Sequence, residues 1–130
     1  MGAVFSQGVS SRNKARVLVV EDQVIFALHV ADVVEEMGYE PVGPVGSVAA
    51  ALPIALREPL DAALLDIRLS DQTVRPVADV LQRRAVPFAF MTAYTRLHLP
   101  PAHRDRPFLC KPFSDDELRA AVEALLGGRP

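Results

Sequence analysis

The 130-residue chain has no tryptophan, a single cysteine and only two lysines. One thiol, Cys110, cannot close an internal disulfide or furnish a cysteine-rich zinc site, and it suits a reducing compartment. No run of about 18 apolar residues occurs, so nothing in the sequence reads as a membrane-spanning helix. The N-terminus lacks a basic stretch followed by an apolar core, which argues against a secretory signal. A basic excess is missing too. Sixteen acidic residues oppose fourteen basic ones, for a net charge of −2, which gives no support to a nucleic-acid-binding surface. These absences lead to the expectation of a cytoplasmic protein with neither nucleic acid nor membrane as partner. What is there is 50% apolar and 23% charged residues, enough for a packed core and, at this length, for one domain.

Residues 1–14 are rich in Ser, Gly, Asn and Gln without a sustained period and read as a flexible arm. Met1–Ser6 matches a loose N-myristoylation pattern, which is read here as part of that leader. From Ala15 onward the punctuation is regular. Arg16–Val20 is a short apolar run suited to a strand buried on both faces, and Glu21-Asp22 ends it abruptly. Phe26, His29/Val30, Val33 and Met37 follow a helical period over 24–37, closed by Gly38. Residues 42–46 predict a weaker, proline-broken edge strand. Ser47 caps a second helix to Arg57, which Pro53 should kink or shorten.

Asp61–Asp66 is a further buried strand that finishes on a carboxylate. A polar loop covers 67–73, and a third helix runs from Val74 to Arg84 with Pro76 in its first turn. Residues 87–91 and 108–110 form the fourth and fifth strands, ending at Thr92 and Lys111. Ser114-Asp115-Asp116-Glu117 is a capping box for a last helix whose inner stripe is Leu118, Ala121, Val122 and Leu125, stopped by Gly127-Gly128. This alternation demands an α/β fold with a parallel sheet and helices on both faces.

Ligands of such sheets bind beyond the carboxyl ends of the strands. This chain places Glu21, Asp22, Asp66, Thr92 and Lys111 there. Three converging acids repel one another unless a cation holds them, and hard oxygen ligands suit Mg²⁺. A nearby lysine would neutralise phosphate oxygens, and Asp66 is a candidate nucleophile for an aspartyl-phosphate. Asp22 also suits a helix cap.

From Arg16 to Leu126 the chain resembles a response-regulator receiver domain of bacterial two-component signalling. The resemblance rests on Val17–Asp22, Leu64-Leu65-Asp66, Phe90-Met91-Thr92-Ala93 and Lys111-Pro112-Phe113, in this order and at strand ends. It implies a flavodoxin-like, doubly wound five-stranded sheet of order 2-1-3-4-5. It implies that Glu21, Asp22, Asp66 and the Arg68 backbone carbonyl hold Mg²⁺. Asp66 would accept a phosphoryl group from a histidine kinase or histidine phosphotransfer protein. Thr92 would hydrogen-bond that group, Lys111 would pair with it, and Lys111-Pro112 would be cis. Phe108 matches an aromatic switch position that follows Thr92.

Two departures stand out. The loop Arg68–Thr73 lacks the family's usual Pro and Gly, which leaves its path open. The short span Ala93–Pro107 contains Pro100-Pro101, so the fourth helix should be reduced or absent. With Phe90, Thr92, Ala93 and Tyr94, this shortening resembles the stand-alone receivers called the FAT GUY group, which carry Gly where Ala93 stands.

The resulting expectation is a receiver over 15–128 without an output domain, a monomer or weak phosphorylation-dependent dimer. It would signal to an unknown downstream protein by contact or onward phosphotransfer. A phosphate-independent binding module and a small Mg²⁺-dependent phosphohydrolase are the alternatives. His29 is expected to pack inward and Cys110 to be inert in a buried strand, while His98 and His103 lack metal-ligand spacing. Ile25 and Leu28 fall off the inner stripe of the first helix and form a possible partner face.

Overall fold

The computed structural model describes residues 14–93 and 99–127. The expected arm up to residue 13, the Met1–Ser6 pattern, Tyr94, His98 and Gly128 lie outside the described residues. The apolar runs become β1 (Arg16–Val20), β2 (Glu40–Val45), β3 (Ala62–Asp66), β4 (Phe88–Thr92) and β5 (Phe108–Cys110). Between them run α1 (Val24–Glu36), α2 (Val48–Arg57) and α3 (Arg75–Arg83), and α4 (Asp115–Leu126) follows β5. All strand pairs are parallel and the order is β2-β1-β3-β4-β5, as the resemblance implies.

Side chains alternate across each strand, so one sheet serves two cores. Leu18, Val20, Leu65, Phe88 and Phe90 face α2 and α3, where Val48, Ala51, Val77 and Leu81 meet them. Val17, Val19, Leu64 and Met91 face α1 and α4, against Val30, Val34, Leu118 and Val122. Each large side chain buried this way is worth about 1.5–3 kcal/mol relative to exposure.

The helix ends follow local chemistry. Gly38 takes φ +92° past the end of α1, where its amide donates to the Glu35 carbonyl at 2.9 Å. Ser47 Oγ accepts from the Ala50 amide at 3.1 Å to start α2. Pro53 does not shorten this helix, which reaches Arg57. Pro53 and Ala49 are both exposed, so the carbonyl that loses its partner at Ala49 faces water. In α4 both halves of the capping box form, Glu117 N–H to Ser114 Oγ at 3.0 Å and Ser114 N–H to Glu117 Oε1 at 2.8 Å. Gln23, without a side-chain cap bond, sits at the start of α1, so Asp22 does not take the capping role.

Three further expectations need correction or completion. His29 does not pack inward: its side chain is 53% exposed, and Nε2 lies 2.7 Å from Asp115 Oδ1. The inward positions of α1 are filled by Ala27, Val30, Ala31, Val33 and Val34. Cys110 is exposed rather than buried, because β5 is a sheet edge. Between β4 and β5 the described residues contain only a 3₁₀ turn, Pro101–His103, in place of a fourth helix. His103 anchors this segment. It is buried against the rings of Phe88 and Phe90, with Nε2 2.8 Å from Asp79 Oδ1 of α3. Lys111-Pro112 is cis as expected, and Gly43-Pro44 is cis as well.

Candidate functional site

Register decides which residues meet. Val20 pairs with Leu65, so Glu21 and Asp22 leave β1 at the level where β3 ends on Asp66. Asp66 is opposite Met91, which puts Thr92 one residue further along β4. Thr92 pairs with Cys110, and the Lys111 amide donates to the Thr92 carbonyl at 2.7 Å. A one-residue slip would turn these side chains to the other face.

Glu21, Asp22 and Asp66 each offer a carboxylate oxygen, all within 4.8 Å of one another. Their exposures differ: Glu21 is buried, Asp66 is half-buried and Asp22 is exposed. Lys111 closes the group, with Nζ 2.8 Å from Glu21 Oε1 and 3.8 Å from Asp66 Oδ1. The Gln23 amide donates to the second Glu21 oxygen at 3.1 Å, which fixes the buried carboxylate. Asp66 Oδ1 accepts the Ile67 amide at 2.9 Å. Burial above all pushes the Asp66 carboxyl up to about 7, and the neighbouring Glu21 adds to this, while Lys111 and the Ile67 amide pull the other way.

The remaining sequence-derived candidates are placed as follows. Thr92 is buried at the end of β4. Phe108 is half-buried in β5 and packs on the core cluster that contains Phe88 and Phe90. Arg68 is exposed and bridges Thr73 across a tight loop, in which the Leu69 amide donates to the Gln72 carbonyl at 3.0 Å. That pairing, with Leu69 buried beneath it, holds the loop without the Pro and Gly that the sequence lacks. Ile25 and Leu28 are exposed at 86% and 51%, and Leu28 lines a shallow pocket together with Glu21 and Asp22.

Three residues near the site were not singled out from the sequence. The Phe26 ring lies 4.7 Å from Lys111 Nζ and meets Phe113 edge-on at 5.5 Å, so it supports the ammonium from beneath. Gly46 backs directly onto Asp22, whose Cα would lie 3.1 Å from a β-carbon there. Asp71 reaches from the loop after β3 to the start of α2. A helical period shows Phe26 only as core, and no local pattern marks the other two.

Chemically, the arrangement offers a half-buried carboxylate with an ammonium 3.8 Å away, and two more carboxylates suited to a hard divalent cation. No helix among the described residues is long and apolar enough to cross a membrane.

No protein-family model matches the chain. Solved structures do. SdrG from Sphingomonas melonis Fr1 is 37% identical, with 87% of this chain and 97% of SdrG covered at a TM-score of 0.74. SdrG has also been solved in a BeF3-activated conformation. The response regulator PhyR from Brucella abortus is 28% identical, with 88% of this chain and 49% of PhyR covered at a TM-score of 0.76. The receiver domain of the sensor histidine kinase PA1611 from Pseudomonas aeruginosa, with magnesium in its active-site cleft, shares the fold at 24% identity. It covers 88% of this chain and 98% of its own, at a TM-score of 0.75. The chain spans about half the length of the curated relatives it matches. With the sheet order β2-β1-β3-β4-β5 and 37% identity over an alignment that covers 97% of SdrG, the chain belongs to the response-regulator receiver-domain family.

Proposed function

We propose that this domain accepts a phosphoryl group on Asp66 from a histidine kinase or histidine phosphotransfer protein, with Mg²⁺, and signals to a downstream protein by contact or onward phosphotransfer. The observation that carries the reading is the Asp66 carboxylate with Glu21 and Asp22 within 4.8 Å and Lys111 beside it. The BeF3-activated form of SdrG supports it, since that group imitates a phosphoryl group.

The donor set fits the metal: three carboxylate-bearing residues converge, and hard oxygen donors are what Mg²⁺ prefers. Glu21, Asp22, Asp66 and the Arg68 carbonyl would hold it, and it would supply positive charge against phosphoryl oxygens. One Asp66 oxygen forms the new O–P bond as the P–N bond of the donor phosphohistidine breaks. The imidazole nitrogen keeps that electron pair and takes up a proton. Lys111, braced by Glu21 and Phe26, faces the charge on the transferred group, and the Thr92 hydroxyl donates to one of its oxygens. Phe108, half-buried beside β4, is then the aromatic that follows Thr92. Val24, Ile25 and Leu28, exposed at 68%, 86% and 51%, supply the apolar face on which the phosphodonor protein docks.

The test is to incubate the protein with Mg²⁺ and acetyl phosphate and to measure intact mass. The expected result is a base-labile gain of about 80 Da that EDTA and Asp66→Asn each abolish. A wild type that never gains this mass would favour a phosphate-independent binding module. Sustained turnover of a phosphomonoester would favour a phosphohydrolase.

A further inference from the structure

The loop after Asp66 is tied to a part of the fold remote in sequence. Asp71 Oδ1 accepts the Val48 amide at 2.9 Å and Oδ2 accepts the Ala49 amide at 3.1 Å. These are the first two amides of α2, and the third is satisfied locally by Ser47. The same loop makes a second tie, with Ser70 Oγ donating to the Gly46 carbonyl at 3.1 Å. The β2–α2 turn that receives both ties leans in turn on the acidic pair. The Glu21 amide donates to the Val45 carbonyl at 2.8 Å, and a β-carbon on Gly46 would lie 3.1 Å from Asp22 Cα. The turn is therefore wedged between the two loops that carry the site's carboxylates.

We infer that Asp71 is a positioning residue for the phosphoryl site: it clamps the loop after Asp66 onto the β2–α2 turn and so fixes that loop relative to Glu21 and Asp22. An exposed carboxylate that bonds two backbone amides on another element orients both, since each bond is lost if either element moves. The backbone amides, Val48 foremost, hold the Asp71 carboxyl below the usual carboxylate range, so it is ionised and accepts both bonds at neutral pH. Arg68 and Ile67 lie in the segment so held. The Ile67 amide bonds Asp66 itself, and the Val74 amide closes the loop on the Ile67 carbonyl at 2.8 Å.

The inference rests on the phosphoryl-site reading above, and the experiment separates the two. Wild type, Asp71→Ala, Asp71→Asn and Ser47→Ala are titrated with Mg²⁺ by calorimetry. Exchange of the Ile67 amide is followed by NMR in metal-free protein, and thermal midpoints are recorded. Ser47→Ala is the control for helix stability, because it removes a cap from the same helix without touching the loop.

Asp71→Ala is expected to weaken Mg²⁺ binding roughly tenfold, as loss of a group that orients metal ligands does. It should also speed exchange at Ile67. Asp71→Asn, which keeps one acceptor oxygen, should fall between it and wild type. Ser47→Ala should lower the midpoint yet leave Mg²⁺ affinity and Ile67 exchange at wild-type values. Unchanged affinity in Asp71→Ala, or an equal loss in Ser47→Ala, overturns the positioning role. A wild type that binds no Mg²⁺ overturns the phosphoryl-site reading, and the positioning role falls with it.

Discussion

Asp66→Asn should stabilise the metal-free domain at pH 8. The Asp66 carboxyl is raised from 3.8 to about 7, first by burial and then by the Glu21 charge. A carboxyl raised on folding contributes its full stability below the unfolded value of 3.8, and that contribution drains away as pH climbs through about 7. Above pH 7 the folded protein holds an ionised Asp66 against its environment, whereas Asn carries no charge there and can still accept the Ile67 amide. At about 1.4 kcal/mol per pH unit, the whole interval would amount to about 4 kcal/mol. The side chain keeps 13% of its exposure and Lys111 lies at 3.8 Å, so solvent and counter-ion screening reduce this. We expect a gain of about 1–2 kcal/mol at pH 8, or about 4–8 °C in thermal midpoint. The assay is urea unfolding of both proteins in EDTA from pH 4 to pH 8. The gap should open between pH 4 and pH 7 and stay level above, and saturating Mg²⁺ should narrow it by stabilising wild type alone. An Asn variant no more stable than wild type at pH 8, or a gap that does not change with pH, would refute the electrostatic account of Asp66.

Lys111→Gln should destabilise the metal-free domain by about 2–3 kcal/mol at pH 8, because it strands the Glu21 carboxylate in a fully buried place. Denaturant melts with and without Mg²⁺ check this, and an unchanged midpoint without metal would mean that the pair is not structural. Ser114→Ala removes the hydroxyl that receives the Glu117 amide and should lower stability by about 1 kcal/mol without altering phosphorylation. A loss of phosphorylation in that variant would place the α4 cap closer to the chemistry than the present geometry does.

The site's carboxylates, hydroxyl and ammonium were legible in the sequence because each apolar run stops abruptly on a polar residue. In a parallel sheet, strand ends share one edge, so the sequence alone brings Glu21, Asp66, Thr92 and Lys111 together. The α4 cap was legible for another reason: Ser114 and Glu117 satisfy each other within one turn. What escaped depends on long-range contacts. His29 has helical spacing for the core, yet Asp115, 86 residues away, draws it outward. Cys110 reads as interior because it closes an apolar run, yet at the end of the edge strand β5 it is exposed. His103 looks like loop and is instead a buried plug held by Asp79, while Asp71 finds its amides 23 and 22 residues back along the chain. No local pattern encodes such pairings, since their partners are set by how the layers close.

The central claim is that Asp66 itself takes the phosphoryl group, and chemical mapping tests it most directly. Protein treated with Mg²⁺ and acetyl phosphate is reduced with borohydride, which converts an aspartyl phosphate to homoserine, and the digest is sequenced by mass spectrometry. Homoserine at position 66 alone is the expected result. Homoserine at another aspartate, or at none in protein that has gained the phosphoryl mass, would contradict the account.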